Sequence, residues 1–416
     1  MIQYNQISMI LPSRNNLEYL IWAYNAIRKN ISDEIFICVA DDASTDGTWN
    51  WLNKTKKTDR FLKIMRNDGP ERLGHCILYD TIIKNLVSTE IAIITHADMY
   101  WLPGAIDNML KHLLPKTIVS ATRIEPPLHP PGVEKVIFDM GYEPSQFHEC
   151  EILDFNNKLQ KENYNKISNG IFAPWMFYVN DFVDIGGHDK LFAPMELEDS
   201  DIFNRMYLNK YVFIQSRDSY VAHLTCRGSR FKDGIEIEKI IDLPDGTKWY
   251  KPKDSEEYTT LRNIKFREWW RKWGQNVLHD SNMLPIVHPK YNIGFVVKNC
   301  TLDGLKNLEP WCDRIHVDLN WDAVKQVYIR NEQPNTLFDL YDRIYPIDND
   351  IDTDIIVEMD LKKFSIDDYK NIMMLSEIIK DNGEIGNFEL LNLKIQINRL
   401  TEYQDSLIKC NNNVFI

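Results

Sequence analysis

The stretch IITHADMYWLPG, residues 93–104, carries an apolar strand straight into a histidine and an aspartate two positions apart, His96 and Asp98. The pair marks the point where a buried strand emerges at a sheet edge. Working outward from it, the first hundred residues alternate two periodicities. ISMILP, EIFICVA, FLKIMRN and EIAIITH read as short apolar strands, and LEYLIWAYNAIRK, DGTWNWLNK and HCILYDTIIKNL read as helices between them. Short strands separated by helical patterns predict βαβ units around a mostly parallel sheet. In such sheets ligands bind beyond the carboxyl ends of the strands. The polar clusters fall there: PSRNN at 12–16, DDASTDGT at 41–48 and HADM at 96–99. Any one of them also reads as a turn and helix cap. Three on one edge point to a site.

The composition sets the outer bounds. With 416 residues, of which 44% are apolar, 12% aromatic and 26% charged, the chain can bury a real core. At roughly 150 residues per domain, two or three domains are expected. No apolar run approaches the ~20 residues of a membrane span, and MIQYNQISMILP lacks a basic region followed by a long apolar block. The expectation is a soluble cytoplasmic protein with no signal peptide and no transmembrane segment. Seven scattered cysteines without a C-x-x-C pair argue against a disulfide framework and a structural zinc. A net charge of -13 argues against a nucleic-acid polymer as partner, since phosphate binding needs a basic stripe.

Five segments in order carry a resemblance: SMILPSRNN, ICVADDASTDGT, HADMYWLPGAI, LEDSDIFNR and VAHLTCRGS. Together they resemble family 2 glycosyltransferases with the GT-A fold, over residues 1 to about 230–275. The resemblance implies a Rossmann-like α/β sheet with helices on both faces, a nucleotide-sugar donor, expected to be a UDP-sugar, and a hydroxyl of a glycan or other molecule as acceptor. The transferred group would be a hexosyl or N-acetylhexosaminyl unit. A divalent cation would neutralise the leaving diphosphate. Asp98 matches the family's metal ligand, and His223 stands in the late histidine segment. Such a mixed set of imidazole and carboxylate favours Mn2+ over Mg2+. His96 replaces the first acid of the family segment and Met99 the last, so His96 is expected at the ribose or behind the metal before it is expected as a ligand.

The donor side is expected to involve Pro12, Ser13, Arg14, Asp41 and Asp42, with Asp41 placed on the base or ribose. The family's A-R-N segment is Tyr79-Asp80-Thr81 here, so donor contacts from Arg72 or His75 would have to substitute, although Arg72 also reads as a solvated loop charge. Arg227 and Arg230 in TCRGSRFKDG would meet phosphates from a closing loop. Asp199 matches the general base and Glu198 an acceptor-orienting carboxylate, crowded at a helix start where the dipole tolerates acids. The alternative is a merely acidic first turn. An attacking hydroxyl opposite the diphosphate inverts the anomeric centre. For the acceptor, Trp175 could stack on a sugar or fill the core, and His129 sits in a loop stiffened by Pro126, Pro127, Pro130 and Pro131.

Residues 1–280 are thus expected to form the catalytic domain, closed by a helix bearing Trp269, Trp270 and Trp273. Residues 285–416 read as a smaller α/β domain without a recognisable site, suited to a scaffold or to homo-oligomer contacts. Two other functions are open. A non-catalytic nucleotide-sugar or glycan binder would fit the departures at His96 and Met99, but has no reason to keep Glu198, Asp199 and His223 together. A nucleotidyltransferase-like enzyme would need a glycine-rich loop after the first strand, and PSRNNLEY has none.

Overall fold

The computed structural model describes residues 2–225, 229–231, 235–244, 246–318, 321–347, 351–410 and 412–415. The chain divides into two compact units: residues 1–261, 279–285 and 409–416 form the first, and 262–278 with 286–408 the second.

The first unit runs β1 (Ile7–Ser13), α1 (Leu17–Asn30), β2 (Phe36–Asp42), α2 (Thr48–Thr55), β3 (Leu62–Asn67), α3 (Gly74–Asn85), β4 (Ile91–Ile94), β5 (Met99–Trp101), α4 (Ala105–Leu110), β6 (Thr117–Glu125) and β7 (Lys135–Ile137). It continues through α5 (Glu149–Glu162), β8 (Ile167–Ser168), β9 (Trp175–Tyr178), α6 (Val179–Asp184), α7 (Glu198–Leu208), β10 (Val212–His223), the hairpin β11 (Ile237–Asp242) and β12 (Lys248–Pro252), and the start of α8 (Glu256–Trp273). The main sheet has the order β3-β2-β1-β4-β9-β6-β10-β5. β1, β2, β3 and β4 are parallel, whereas β9 runs antiparallel between β4 and β6, and β5 runs antiparallel to β10. This is the α/β GT-A arrangement. Ile7, Met9, Leu11, Ile37, Val39, Ile91 and Ile93 pack in its core.

The segment 41–48 serves as the turn and helix cap considered for it, and it also lies at the sheet edge. Asp46 accepts from the Leu17 amide at the start of α1 (2.9 Å) and from the amide and hydroxyl of Thr48 at the start of α2 (3.0 and 2.6 Å). One carboxylate thus satisfies donors at two helix starts that have no partner within their own helices. The parallel register sets Ser13 beside Asp41 and Ile10 beside Ile94, so the segments following β1, β2 and β4 leave the sheet at the same edge.

The second unit contains the remainder of α8, β13 (Ile293–Lys298), α9 (Leu302–Leu308), β14 (Arg314–Val317), α10 (Trp321–Glu332), β15 (Ile344–Pro346), β16 (Ile355–Asp360), α11 (Ile366–Met373), α12 (Leu375–Asn382), β17 (Gly386–Leu390) and β18 (Leu393–Ile397). Its sheet order is β15-β14-β13-β16-β18-β17, with the first four parallel and β18 antiparallel to β16. That repeats β3-β2-β1-β4 followed by antiparallel β9. Asn15 and Asn299, with φ 48 and 51, follow the first strand of each set. Counting along the registers from these residues brings Asp42 into correspondence with Asp318, and Asp98 with Asp360. In the second unit these groups are tied to one another. Asp318 accepts from the amides of Asn299 and Cys300 (2.6 and 2.9 Å), and Asn299 Nδ2 donates to Asp360 (2.8 Å).

The expected domain break near 280–285 is corrected at two places. Helix α8 changes units at Arg262 because its later turns are bound to the second unit: Arg271 meets Glu309 at 2.7 Å and Glu332 at 2.6 Å, Arg267 meets Glu332 at 2.7 Å, and Trp270 stacks on Trp311 at 4.6 Å. The last residues return to the first unit. The Lys190 amide donates to the Asn412 carbonyl (2.9 Å), Lys84 Nζ to that of Val414 (2.7 Å), and Phe415 lies edge-on to Phe182. Among the described residues no helix is long and apolar enough to cross a membrane.

Candidate active site

The polar pair of residues 93–104 meets the end of a distant strand. β4 closes at Ile94, the chain turns, and β5 returns antiparallel to β10 with Met99 paired to His223. The pairing continues one step further, with the Leu224 amide donating to the Asp98 carbonyl (3.1 Å), which brings the end of β10 alongside Asp98. Donor atoms of His96, Asp98 and His223 all lie within 4.8 Å of one another, with His223 Nε2 3.5 Å from Asp98 Oδ1. The other ring nitrogen, His223 Nδ1, lies 2.9 Å from Glu125 Oε1, and Glu125 is itself held by Arg123 and Lys135, each at 2.9 Å.

Electrostatics follow from these contacts. Burial alone would lower the His223 pKa, but Asp98, with Glu125 behind the ring, raises it to about 9. Burial would raise Asp98, and His223 instead holds it at about 2. Burial lowers His96 to about 4 against the pull of Asp98, which leaves a neutral imidazole at pH 7. Two imidazoles and one carboxylate, with a second carboxylate orienting the outer histidine nitrogen, form a donor set suited to a divalent transition metal that displaces the His223 Nε2 proton.

The strand-end residues share a cavity of about 290 Å³ with this cluster: Pro12, Ser13, Arg14, Asp42, Arg72, His75, His96, Asp98, His223 and Arg230 all line it. Ser13 Oγ is buried there with no hydrogen-bond partner among the described residues, an orphaned group facing space where a ligand would satisfy it. Asp42 is anchored by the amides of Leu73 and Gly74 (3.0 and 2.9 Å), which fixes the start of α3, and Arg14 donates to the Asp42 carbonyl (2.7 Å). Arg72 is mostly enclosed and lies 4.0 Å from the Asp42 carboxylate, so it is a wall group and not a solvated loop charge.

Asp41 requires correction. Its side chain is fully buried beneath the cavity, paired with Arg66 at 3.2 Å and accepting from the Ser44 amide. Asp42, not Asp41, reaches the cavity wall, because neighbouring strand residues point to opposite faces.

The acids of α7 separate into three environments. Asp201 is buried against Arg205 at 2.8 Å and is structural. Glu198 is buried and paired with His75 Nε2 at 2.8 Å. Burial works against both charges, yet each partner sustains the other: Glu198 is lowered and His75 raised. Asp199 is exposed and outside the cavity lining, next to the lining residues Glu196 and His75. The protein mass around its carboxyl, and the Glu198 charge beside it, raise its pKa to about 6.

The two acceptor candidates fare differently. Trp175 is 2% exposed and packs in β9 against Phe177, Phe182 and Phe203, so no sugar can reach it. Strand β9 lies between β4 and β6 and is buried on both faces, which its sequence WMFY does not distinguish from a strand with one open face. His129 is partly exposed, and burial first, then Arg230, lowers its pKa to about 4. Arg230 lines the cavity but pairs with Asp254 at 2.6 Å, which competes with a role on phosphate. Arg227 lies outside the described residues. Glu125, Glu196, Thr225 and Tyr258 were not anticipated. Glu125, the ninth residue of β6, had a usable signal: it is an acid ending a strand that neighbours the late histidine strand.

Residues 8–182 match the family model described as Glycosyl transferase family 2. This segment belongs to glycosyl transferase family 2. The match covers β1 through most of α6, including every strand-end cluster up to Asp98. Among solved structures, the chain is similar to mannosyltransferase PcManGT from Pyrobaculum calidifontis in complex with GDP-Man and Mn2+. That likeness has 21% identity over 53% of this chain and 57% of that one, at a TM-score of 0.39. It is also similar to GalNAc-T7 with UDP, GalNAc and Mn2+ (12% identity, 52% and 43% coverage, TM-score 0.40). S. aureus TarS 1-349 is a third (15%, 52% and 60%, TM-score 0.37). The chain thus spans 43–60% of the length of these three structures. No curated protein matches the chain.

Proposed function

We propose that the chain is a cation-dependent glycosyltransferase that moves a sugar from a nucleotide-sugar donor to an acceptor hydroxyl with inversion. The observation that carries this is the cluster of His96, Asp98 and His223 in one cavity wall with Ser13, Arg14, Asp42 and Arg72. A divalent cation held by the three donors would offset the charge of a leaving diphosphate. Arg14 and Arg72, 2.7 and 4.0 Å from Asp42 atoms, add two guanidiniums to the lining of the same cavity, suited to phosphate oxygens. Ser13 supplies a hydroxyl for the nucleoside. Asp199, poised near neutrality and open to solvent, accepts the proton of the attacking hydroxyl. Glu198, locked to His75, sustains the local negative charge that raises Asp199.

We assign UDP as the nucleotide and Mn2+ as the preferred ion, on the family resemblance and the two imidazole donors respectively. The test is nucleotide release from a panel of UDP- and GDP-sugars with Mn2+, with Mg2+ and with chelator, alongside the thermal shift each ligand produces. Release that needs Mn2+ and favours one UDP-sugar supports the reading. Release that survives chelation removes the cation from it, and no release or shift with any donor overturns it.

A further inference from the structure

The cavity wall holds a carboxylate that neither the strand-end clusters nor α7 account for. Glu196 lines it together with Met195, Thr225 and Tyr258. Tyr258 Oη donates to Glu196 Oε1, and among the described residues Glu196 has no other hydrogen-bond partner. The backbone is bent to put it there: φ is 83° at Glu196 and 66° at Leu197, a left-handed conformation that side-chain-bearing residues avoid. Such conformations persist where surrounding structure over-determines them, and they gather at ligand sites. The surroundings are firm. The Cys76 amide donates to the Pro194 carbonyl (3.3 Å), and Gly74 lies so close beneath that a Cβ there would stand 2.1 Å from the Pro194 oxygen. The Arg230 guanidinium covers the Tyr258 ring at 5.3 Å while paired to Asp254, which holds the phenol that bonds Glu196.

The other acids in the wall are committed elsewhere, Asp42 to the amides at the start of α3 and Asp98 to the cation cluster. Glu196 is the lining acid with acceptor capacity left for a bound molecule. We infer that Glu196, oriented by Tyr258, reads the hydroxyl groups of the donor sugar held beside the cation cluster and restricts the donor to neutral, hydroxylated sugars. This rests on the glycosyltransferase reading above. A carboxylate only accepts, and a sugar diol supplies the donors it needs. A uronic acid would set a second acceptor-only carboxylate against it, with like charges in an enclosed space. A site built to bond a substrate hydroxyl discriminates strongly, because the wrong substrate leaves a buried polar group unpaired.

The experiment is Mn2+-dependent nucleotide release from matched donor pairs: UDP-glucose with UDP-glucuronic acid, UDP-galactose with UDP-galacturonic acid, and GDP-mannose with GDP-mannuronic acid. UDP, GDP and Mn2+ binding are measured separately. The wild-type protein is expected to release nucleotide from the neutral member of its preferred pair about 100-fold or more faster than from the acidic one. Glu196→Gln is expected to shrink that ratio at least about tenfold, while nucleotide and Mn2+ affinity stay at the wild-type level. Tyr258→Phe should shift the ratio the same way by less, and it supplies the measurement if Glu196→Gln does not fold. Equal turnover of both members by the wild type overturns the inference, as does an unchanged ratio in both folded variants. In either case the glycosyltransferase reading stands. Absence of release from every donor overturns that reading and this inference with it.

Discussion

His75 Nε2 lies 2.8 Å from Glu198 Oε1, at the point where α3 and α7 both begin. The contact takes Glu198 out of contention as a free base and leaves its charge beside Asp199, the exposed acid of the same turn. A carboxyl set partly against protein and beside a negative charge holds its proton to higher pH.

Asp199 is raised to about 6, so transfer is expected to climb with pH through that value and level off above it. The sign follows from its role: a base acts when ionised, and below pH 6 the group is protonated. Asp199→Asn should lower transfer by roughly 10²–10⁴-fold and abolish the acid limb, with donor affinity retained. A rate profile from pH 5 to 8 for both proteins checks this. A wild-type acid limb preserved in the variant would assign the proton to another group.

Mn2+ binding is expected to fail in Asp98→Ala and in His223→Ala, and to weaken in His96→Ala. Glu125→Gln is the more telling change, since Glu125 touches the outer nitrogen of His223 and not the cation space. Removing such an orienting partner lowers metal affinity about 10–100-fold. Isothermal titration with Mn2+ measures it, and wild-type affinity in Glu125→Gln would mean the His223 ring is held by other contacts.

Trp175→Ala is expected to cost about 3–5 kcal/mol of stability through the cavity it leaves between Phe177, Phe182 and Phe203. Affinity for donor and acceptor in the fraction that remains folded should be unchanged. Denaturant unfolding and a binding titration separate the two effects, and a specific loss of acceptor affinity would return the tryptophan to the site.

Deleting Lys409–Ile416 is expected to destabilise the first unit although the deletion lies far from it in sequence. Gly186 and Gly187 are shaped around this tail: a Cβ on either would stand 2.8 Å from the Cys410 carbonyl or 2.5 Å from the Phe415 ring. The loss uncovers Phe182 and the turn that holds the Asp80–His188 pair, 2.7 Å apart and buried. Thermal unfolding monitored through donor-induced stabilisation reads the effect, and an unchanged midpoint would make the tail a passive end.

Much of the cluster of His96, Asp98 and His223 was legible because strand ends in a parallel sheet share an edge, so IITHADM and the end of β10 could be placed near each other from periodicity and family pattern. Asp41 was misplaced by one residue, a shift that in a strand turns a side chain to the other face. Trp175 was ambiguous because an antiparallel strand inserted between two others is apolar on both faces. Glu196 and Tyr258 were invisible for a different reason. Their meeting depends on two left-handed residues and on the start of α8, 62 residues downstream of the acid, and neither backbone sign nor long-range pairing is written in local periodicity. The internal repeat was hidden likewise: Asn15 and Asn299 share a conformation and a place in the topology, while the sequences around them differ.

The passage of the chain out of the first unit at Leu261, and its return for the last residues, has a consequence during synthesis. A ribosome releases the amino end first, so the sheet with its strand-end clusters can begin to collapse while the second unit is still being made. The segment 409–416 that packs on Gly186 and Gly187 is translated roughly 150 residues later, about 8–30 s at about 5–20 residues per second. Until those residues arrive, Phe182 lacks its edge-on contact with Phe415.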